Sequence, residues 1–385
     1  MGEFERFTGE SLRALDAAGL RRRVRTLAAS GARTVLDGSP LVSFSSNDYL
    51  GLSADPRLAD ALARGAAEEG AGAGAARLLG GSRPAHDALE KAVASFKGTR
   101  AALLFGSGYA ANATVIPALV GEGDLVVSDA LNHASVVDGC RLSRAEISVV
   151  PHDQPAAIRA ALGRIGFRRR LAVVEGLHSM EGTVSPLAEV RDACLDHDAL
   201  LLLDDAHGNG VLGPGGRGAA SAAGLEPGPD LLEIGTFGKA FGGYGAFAAW
   251  TADGVDLLRH RARGFVFSTA LPPGVAAMDL EGMRIAAAEP ERRARAAARA
   301  DRLRAALGPS AGGAAGSPIV PVPVGSSPEA ARLAERLLER GFWAPAVRPP
   351  TVPEGTARLR ISVTADHREE EIDALAAALR EALRG

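Results

Sequence analysis

Lys239 lies in a segment that combines an apolar run, several glycines and a hydroxyl group. The segment reads Ile234-Gly235-Thr236-Phe237-Gly238-Lys239-Ala240-Phe241-Gly242-Gly243. A lysine amine becomes a nucleophile when desolvation or nearby positive charge lowers its pKa, and it then forms a Schiff base with an aldehyde. A lysine that follows glycine in a turn is more often simply solvated. This segment therefore predicts an aldehyde-binding lysine only if a second feature supports it.

The second feature is a run of leucines that ends in two acidic residues and a histidine. It reads Leu200-Leu201-Leu202-Leu203-Asp204-Asp205-Ala206-His207-Gly208. Acids at the carboxyl end of a parallel strand lie where α/β folds bind their ligands. An acid at a pyridine nitrogen and a lysine at an aldehyde are the two partners that pyridoxal 5'-phosphate (PLP) needs. Together, Asp204 and Lys239 predict a PLP site.

Three further predicted strands end in small or polar residues. The strand over residues 101–105 leads into Gly106-Ser107-Gly108-Tyr109, which opens a helix whose N-terminal N–H groups could hold a phosphate. The strand over 125–128 leads to His133, and the strand over 171–174 leads to Ser179. A lone histidine at a strand end is more often structural. The repetition over several strands nevertheless predicts that these groups share one edge of a sheet with Asp204.

Composition excludes several classes of protein. The chain has 385 residues, 46% of them hydrophobic and 4% aromatic, with a net charge of −3. This balance fits a globular enzyme and gives no basic surface for nucleic acid or a membrane. Cys140 and Cys194 form no disulfide framework and no metal-ligand spacing. The N-terminus is acidic and lacks a signal-peptide core, and no apolar run is long enough to span a bilayer. We predict a cytoplasmic, metal-free protein.

Strands and helices alternate along most of the chain, which predicts an α/β fold with a mostly parallel sheet and helices on both faces. We predict an N-terminal helix and hairpin segment over residues 1–48, a large cofactor-binding domain over 49–285 and a smaller α+β domain over 286–385. In the first segment, residues 8–30 are predicted as a helix, and an Asp37-Gly38 turn is predicted to join strands over 34–36 and 41–44.

The last domain contains a strand in which apolar and polar residues alternate. If Leu359 and Ile361 face the core, Arg360 faces the other way, towards a domain interface. A helix is predicted over 290–307. Another is predicted to begin at Ser327-Pro328-Glu329 with Ser327 as its cap, and the last helix is predicted over 366–384.

Several of these motifs together resemble the α-oxoamine synthases, which are fold type I PLP enzymes. The resemblance covers nearly the whole chain. It rests on Ser46-Asn47-Asp48-Tyr49-Leu50-Gly51, Asp204-Asp205-Ala206-His207-Gly208, Thr236-Phe237-Gly238-Lys239-Ala240 and Phe267-Ser268-Thr269. The stretch from Arg348-Pro349-Pro350-Thr351 to Arg360 is similar to the branch that joins L-alanine to a pimeloyl thioester in biotin synthesis. The resemblance implies pimeloyl-CoA or pimeloyl-acyl-carrier protein as the acyl donor, and a homodimer.

The resemblance also implies a role for each site residue. Lys239 would hold PLP and act as the base at the alanine Cα, Asp204 would pair with the pyridine nitrogen, and His207 would bond the phenolic oxygen. The cofactor would also be bound by Gly108, Tyr109, His133, Ser179, Thr236 and Thr269. The substrates would be bound by Arg21, Asn47, His133, Thr351 and Arg360, with Arg360 clamping the alanine carboxylate.

Other functions stay open at this point. Glycine C-acetyltransferase, 5-aminolevulinate synthase and a serine-using palmitoyltransferase belong to the same family, although the Arg348 to Thr351 signature argues against them. An aminotransferase of the same fold would need an exchangeable amino group. A non-catalytic partner subunit would lack the lysine, which is present here. In this chain Gly72-Ala73-Gly74-Ala75-Ala76-Arg77 replaces a stretch in which the family carries two hydroxyls.

Overall fold

The computed structural model describes residues 2–22 and 24–384 of the chain. Its helices are α1 (Glu3–Ala17), α2 (Pro56–Glu69), α3 (Pro84–Lys97), α4 (Gly108–Leu119), α5 (Ala134–Ser143), α6 (Pro155–Leu162), α7 (Leu187–Leu195), α8 (Ala219–Ala222), α9 (Ala252–Arg261), α10 (Arg263–Val266), α11 (Pro273–Ala288), α12 (Glu291–Leu307), α13 (Ser327–Glu339) and α14 (Glu369–Arg384). Within those ranges, no helix has both the length and the apolar character that crossing a membrane requires.

The strands are β1 (Arg33–Leu36), β2 (Ser39–Ser43), β3 (Ala101–Phe105), β4 (Leu125–Asp129), β5 (Glu146–Val150), β6 (Arg170–Glu175), β7 (Ala199–Asp204), β8 (Leu231–Thr236), β9 (Ala246–Trp250), β10 (Ile319–Gly325), β11 (Phe342–Trp343), β12 (Ala346–Val347) and β13 (Ala357–Ser362). The chain divides into two compact units. The sheet unit contains residues 47–179 and 183–294. The terminal unit contains the residues up to 46, residues 180–182 and the residues from 295 onward.

The sheet unit is built on a seven-stranded sheet with the order β3-β9-β8-β7-β6-β4-β5. Strands β8, β7, β6, β4 and β5 run parallel to one another, and β9 runs antiparallel to both β3 and β8. The predicted, mostly parallel sheet is therefore confirmed, and the strand that follows the lysine is its antiparallel member. The parallel strands end at a common edge, which is where the polar groups were expected.

Helices cover both faces of this sheet. Along β7, Leu202 packs into the apolar cluster that contains Ile116 of α4, whereas Leu201 and Leu203 pack into the cluster that contains Val190 of α7. Successive side chains of a strand point to opposite faces, so these two clusters lie on opposite sides of the sheet. The prediction of helices on both faces is confirmed.

The terminal unit contains two three-stranded sheets. One has the order β10-β13-β12 and is antiparallel, and the other has the order β1-β2-β11. The predicted hairpin is present, and its turn residues Asp37 and Gly38 have φ values of 52° and 81°. Positive φ at both central residues matches the turn that two-residue hairpins prefer. On β13, Leu359 and Ile361 lie in the core cluster, as their alternation predicted.

Several predicted helix boundaries are wrong. The helix predicted over 8–30 begins at Glu3, and the last helix, predicted from residue 366, begins at Glu369. The first helix ends at Ala17, because Gly19 adopts φ +65° and reverses the chain where the apolar periodicity had suggested a continuing helix. Of the residues beyond this end, Arg23 lies outside the described residues. Helix α13 is capped by Ser326, whose Oγ accepts a hydrogen bond from the Glu329 N–H at 3.3 Å, so Ser327 is the first helical residue and not the cap.

Lys97 is buried at the end of α3 together with two acidic residues of the sheet. Its side chain is 1% exposed, and its Nζ lies 2.6 Å from Glu233 Oε2 and 3.9 Å from Asp205 Oδ2. It also donates a hydrogen bond to Asn209 Oδ1 at 3.0 Å. Burial raises the pKa of Asp205 to about 7, and the Lys97 charge opposes this rise. Lys97 therefore neutralises acidic groups that water cannot reach.

We expect Lys97→Met to lower the free energy of unfolding by about 3–5 kcal/mol, because the buried Glu233 carboxyl loses its cation while the volume is nearly kept. Denaturant unfolding followed by circular dichroism measures this change. Lys91→Met is the matched control, since Lys91 lies on the exposed face of the same helix and should change stability by no more than about 0.5 kcal/mol. Small and equal effects in both variants would contradict the prediction.

Candidate active site

A cavity of about 180 Å³ lies in the sheet unit at the carboxyl ends of its parallel strands. Three neighbouring strands contribute their last residues to its wall, namely Glu175 from β6, Asp204 from β7 and Thr236 from β8. The complete lining consists of Gly108, Tyr109, Asn112, His133, Ser135, Glu175, Asp204, Ala206, His207, Thr236 and Lys239. The sheet edge at which the polar strand-end residues were predicted to meet is therefore a concave site rich in polar groups.

Lys239 lies in a tight turn that follows β8. A backbone hydrogen bond from the Phe237 N–H to the Gly245 carbonyl, at 3.0 Å, closes the base of this turn. Gly242 adopts φ +69°, and a Cβ at this position would come within 2.6 Å of the backbone of Leu52. Only glycine fits both conditions. The turn thereby fixes the backbone of Lys239, whose half-buried side chain lines the cavity.

The amine of Lys239 begins a chain of hydrogen bonds. Its Nζ lies 2.7 Å from Nε2 of His207, and Nδ1 of His207 lies 2.7 Å from the hydroxyl of Tyr49. Tyr49 donates its one hydroxyl proton to Oδ1 of Asn47 at 3.3 Å. The Tyr49 oxygen therefore accepts from His207 Nδ1–H, which leaves His207 Nε2 as the acceptor for the Lys239 amine.

Asp204 is buried and has a hydrogen-bond donor at each carboxyl oxygen. Oδ2 accepts from Nδ2 of Asn112 at 2.6 Å, and Oδ1 accepts from the backbone N–H of Ala206 at 3.0 Å. The Asn112 amide also donates to Oγ of Ser135 at 3.0 Å. Hydrogen bonds to a carboxylate favour its ionised form. The site can therefore hold a fixed negative charge at the end of β7.

His133 caps the N-terminus of α5 and belongs to the same network. Its Nδ1 lies 2.7 Å from Oγ of Ser135 and accepts from the Ser135 backbone N–H at 3.3 Å. Burial lowers the pKa of His133, with the Asp204 charge opposing this shift and the Lys239 charge supporting it. A neutral ring whose Nδ1 is an acceptor carries its proton on Nε2. His133 is thus set up as a hydrogen-bond donor through Nε2.

The N-terminus of α4 forms another part of the cavity wall. Gly108 and Tyr109 begin this helix, and Ser107 caps it by accepting from the Ala110 N–H at 3.1 Å. Space remains open around Gly108, where an added Cβ would meet no atom within 4 Å. On the other side, the Thr236 hydroxyl donates to the Gly245 carbonyl at 2.7 Å. The helix dipole and the N–H groups of Gly108 and Tyr109 at the start of α4 make this end suitable for a phosphate.

The residues present fit PLP. Asp204 offers a buried carboxylate with both oxygens fixed, Lys239 offers a primary amine, and α4 offers a helix N-terminus, all in the wall of one cavity. These three features correspond to the pyridine nitrogen, the aldehyde and the phosphate of the cofactor. Each group of the cofactor therefore has a partner of the required chemistry.

The structure brings together most of the residues predicted to bind the cofactor. Those that line this cavity are Gly108, Tyr109, His133, Asp204, His207, Thr236 and Lys239. Ser179 does not line it, but its N–H donates to Oε2 of Glu175 at 3.1 Å. Thr269 forms a β-bridge with Ala76 and lines a different, smaller cavity with Ser268. The roles of Ser179 and Thr269 stay predictions.

The residues predicted to bind substrate fall into both units. Asn47 belongs to the sheet unit and accepts from Tyr49, as described above. In the terminal unit, Arg21 pairs with Asp16 at 2.7 Å, and Thr351 accepts from Arg22 at 3.2 Å. A third residue of the terminal unit, Arg360, is buried on β13 and donates from Nη1 to Oγ of Ser362 at 2.7 Å.

Sequence reasoning did not single out four residues of the site. They are Tyr49, Asn112, Ser135 and Glu175. Two of them carried a usable signal. Glu175 ends its strand as Asp204 does, and Asn112 lies one helical turn after Gly108, so it shares a face of α4 with that residue. Tyr49 lies in the Ser46 to Gly51 motif, but nothing in that motif relates it to its partner His207, which lies far away in sequence.

The three lysines of the chain differ sharply in their surroundings. Lys91 is exposed, Lys97 is buried in an ion pair, and Lys239 lines the cavity. We expect borohydride reduction in the presence of stoichiometric PLP to attach a pyridoxyl group to Lys239, because this amine alone combines access with a polar ligand cavity. Peptide mass spectrometry locates the group. Lys239→Ala should lose it, whereas Lys91→Ala should retain it. Labelling that survives in Lys239→Ala would disprove the assignment.

The chain matches known proteins over nearly its whole length. The family model described as aminotransferase class I and II matches residues 39–379. The 8-amino-7-oxononanoate synthase of Anaeromyxobacter sp. (strain Fw109-5) is 50% identical over 377 residues, which cover 97% of this chain and 94% of that protein.

Two solved structures are also similar. A serine palmitoyltransferase from S. paucimobilis, solved with a bound PLP–myriocin aldimine, has a TM-score of 0.93 at 30% identity and covers 100% of this chain and 99% of its own. The 8-amino-7-oxononanoate synthase from Francisella tularensis has a TM-score of 0.77 at 26% identity, covering 89% and 98%. The predicted fold type and cofactor are confirmed. The chain belongs to the 8-amino-7-oxononanoate synthases, a family of PLP-dependent acyltransferases of fold type I.

Proposed function

We propose that this enzyme condenses L-alanine with a pimeloyl thioester, giving 8-amino-7-oxononanoate, CO2 and free thiol in biotin synthesis. The observation that carries the proposal is the cavity in which Lys239, Asp204, His207 and His133 meet. Its support from relatives is the 46–50% identity to proteins named 8-amino-7-oxononanoate synthase over nearly the full chain. The acyl donor would be pimeloyl-CoA or pimeloyl-acyl-carrier protein.

A serine-using acyltransferase is the second candidate, because the serine palmitoyltransferase from S. paucimobilis has the higher TM-score of the two structures. Its sequence identity, however, is 30%, whereas the synthase from Anaeromyxobacter sp. (strain Fw109-5) reaches 50%. Backbone similarity reflects the common fold of the family, and substrate choice depends on side chains. The higher identity therefore favours alanine and a pimeloyl group.

When bound, PLP supplies an electron sink that stabilises negative charge at the Cα of the amino acid. In our proposal Asp204 faces the pyridine nitrogen and keeps it protonated, since an opposite charge at hydrogen-bond distance favours the charged form. The hydrogen bonds from Asn112 and Ala206 hold the Asp204 carboxylate in place. Gly108, Tyr109, Thr236 and, from a second subunit, Thr269 would bind the phosphate, and Ser179 would bind near the phenolic oxygen.

Lys239 would remove and return the proton at the alanine Cα. The nearby Nε2 of His207, 2.7 Å from the amine, accepts a hydrogen bond from it and so orients it. The chain through Tyr49 to Asn47 holds the His207 ring in the tautomer that this contact needs. An oriented amine next to an acceptor is suited to general base catalysis, which contributes about 10²–10⁴-fold to a rate.

His133 would polarise the thioester. The ring is neutral and its Nδ1 is occupied by Ser135, so Nε2–H is the group that it would offer to the thioester oxygen. A donor aimed at an oxygen that gains negative charge stabilises the transition state. The same ring could stack on the cofactor, as the family resemblance implies.

Arg360 would bind the alanine carboxylate, and Arg21, Asn47 and Thr351 would contact the rest of the substrates. A guanidinium can hold a carboxylate through two parallel hydrogen bonds, which fixes its orientation. Holding the carboxylate in one orientation would fix which bond at the alanine Cα is placed to break, and so would decide between loss of a proton and loss of CO2. We also propose a homodimer, in which Thr269 completes the site of the partner.

The experiment that tests the function measures free thiol released from pimeloyl-CoA by the purified protein with PLP and alanine, glycine or serine in turn. We expect thiol and CO2 in equal amounts with alanine and little with the other two, because the relatives at 46–50% identity are 8-amino-7-oxononanoate synthases, for which the family resemblance implies alanine. Palmitoyl-CoA with serine is the matched alternative pair. Faster release with that pair would overturn the substrate assignment while leaving the cofactor assignment intact.

Arg360→Lys should raise the KM for alanine by roughly 10- to 100-fold, from the about 1.5–3 kcal/mol that a hydrogen bond to a charged group contributes. Lysine keeps the charge but cannot form two parallel hydrogen bonds. Arg368→Lys is the control, because Arg368 is exposed at the start of α14. Steady-state kinetics at saturating thioester measure the effect. An unchanged KM for alanine in Arg360→Lys would rule out the carboxylate clamp.

A further inference from the structure

Glu175 and Asp204 form a pair of carboxyl groups in the wall of the cavity. They are the last residues of the neighbouring parallel strands β6 and β7, and they are partners in the register of these strands. Register partners present their side chains on the same face of a sheet. The two residues are 3% and 5% exposed, and both line the cavity. Two like charges placed this close and away from water cannot both be ionised without a large penalty.

The hydrogen bonds of the two carboxyls are unequal. Asp204 has a donor at each oxygen, from Asn112 and Ala206. Glu175 accepts at Oε2 from the Ser179 N–H at 3.1 Å, whereas its Oε1 is buried and has no hydrogen-bond partner among the described residues. Donors stabilise a carboxylate, and a buried oxygen without one destabilises it. If one proton is held by the pair, Glu175 is therefore the residue that holds it.

Charged groups on the surrounding elements agree with this assignment. Burial is the largest influence on Glu175 and the Asp204 charge the next, and both raise its pKa. His178 from the segment after β6 and Lys239 from the turn after β8 act in the opposite direction, and the net pKa of Glu175 is about 7. From the α5 side, His133 interacts with Asp204 and is itself held neutral by burial.

We propose that Glu175 carries a proton on Oε1 in the working enzyme, so that Asp204 alone supplies the negative charge that meets the pyridine nitrogen. Glu175 is then a positioning residue, which acts through Asp204. A pair with one negative charge matches one pyridinium N–H, whereas a doubly charged pair would leave one buried anion without a partner. The proposal rests on the proposed role of Asp204 and not on which amino acid and thioester react.

The first test uses the protein without cofactor. A carboxyl with a raised pKa binds more protons in the folded than in the unfolded state between its ordinary value of 4.5 and about 7. Folding stability should therefore fall as pH rises through this window and then level off. Asp205, whose pKa is also raised to about 7, contributes to the same fall. Glu175→Gln, which mimics the neutral acid, should therefore lose only the Glu175 part of the fall, and its Tm should exceed that of the wild type above about pH 7. Glu189→Gln, on the exposed face of α7, should follow the wild type.

The second test uses the PLP-loaded enzyme. We expect Glu175→Gln to lose less than tenfold in PLP affinity at neutral pH, because the amide matches the protonated acid in charge. We expect the cofactor absorption band of the wild type to change near pH 7, where Glu175 ionises, and Glu175→Gln should lack this change. A tenfold or larger loss of PLP affinity in Glu175→Gln, with its absorption titrating like that of the wild type, would mean that the anion is required and would overturn the proposal.

A third measurement does not depend on whether the variant folds. Infrared difference spectra of wild-type protein carrying ¹³C-labelled glutamate should contain the C=O band of a buried protonated carboxyl below about pH 7, and the band should disappear above that pH. Absence of a protonated glutamate band would also overturn the proposal. A negative result in the alanine and pimeloyl-CoA assay would leave these three readouts unchanged. The assignment of the substrates and the assignment of the proton to Glu175 can therefore be disproved independently.

Discussion

The charge on Asp204 is the constraint on which the rest of the site depends. An ionised carboxyl in a buried position is unfavourable by several kcal/mol unless hydrogen bonds and an opposite charge compensate it. Before any ligand binds, the side chain of Asn112 and the backbone of Ala206 supply the hydrogen bonds. In our proposal the opposite charge comes from the cofactor. The neighbouring structure therefore holds this carboxylate in a fixed position, as a partner for a cationic group of a ligand would require.

The next residue, Asp205, is also a buried acid, but a lysine of the protein lies near it. Asp205 lies next to Asp204 in sequence, yet its Oδ2 accepts from the Ala219 N–H at 2.9 Å and lies 3.9 Å from Nζ of Lys97. Lys97 and Glu233 form an ion pair at 2.6 Å in the same place. One aspartate thus faces an internal lysine and the other faces the ligand cavity. Consecutive acids at a strand end diverge in this way because successive side chains point to opposite faces.

The sequence predicted the parts of the site that follow from strand order, and it missed the parts that follow from tertiary contact. A leucine run that ends in Asp204 and a glycine-rich turn around Lys239 are local patterns, and the parallel sheet brings both to one edge. Tyr49 is 158 positions from His207, and no local pattern relates the two. Arg360 was expected to face away from its core, and its burial could not be read from alternation alone. The end of α1 was misplaced because apolar periodicity continued past the glycine that ends the helix.

The two histidines that line the cavity are held in opposite tautomers, so one ring offers a hydrogen-bond donor and the other an acceptor. Ser135 donates to Nδ1 of His133, so this ring offers an N–H through Nε2. Tyr49 accepts from Nδ1 of His207, so that ring offers a lone pair through Nε2, which Lys239 occupies. A neutral imidazole cannot do both at the same nitrogen. One side of the cavity consequently accepts a hydrogen bond from an amine and the other offers a hydrogen-bond donor, which is the arrangement that our proposed base at Cα and donor to the thioester oxygen require.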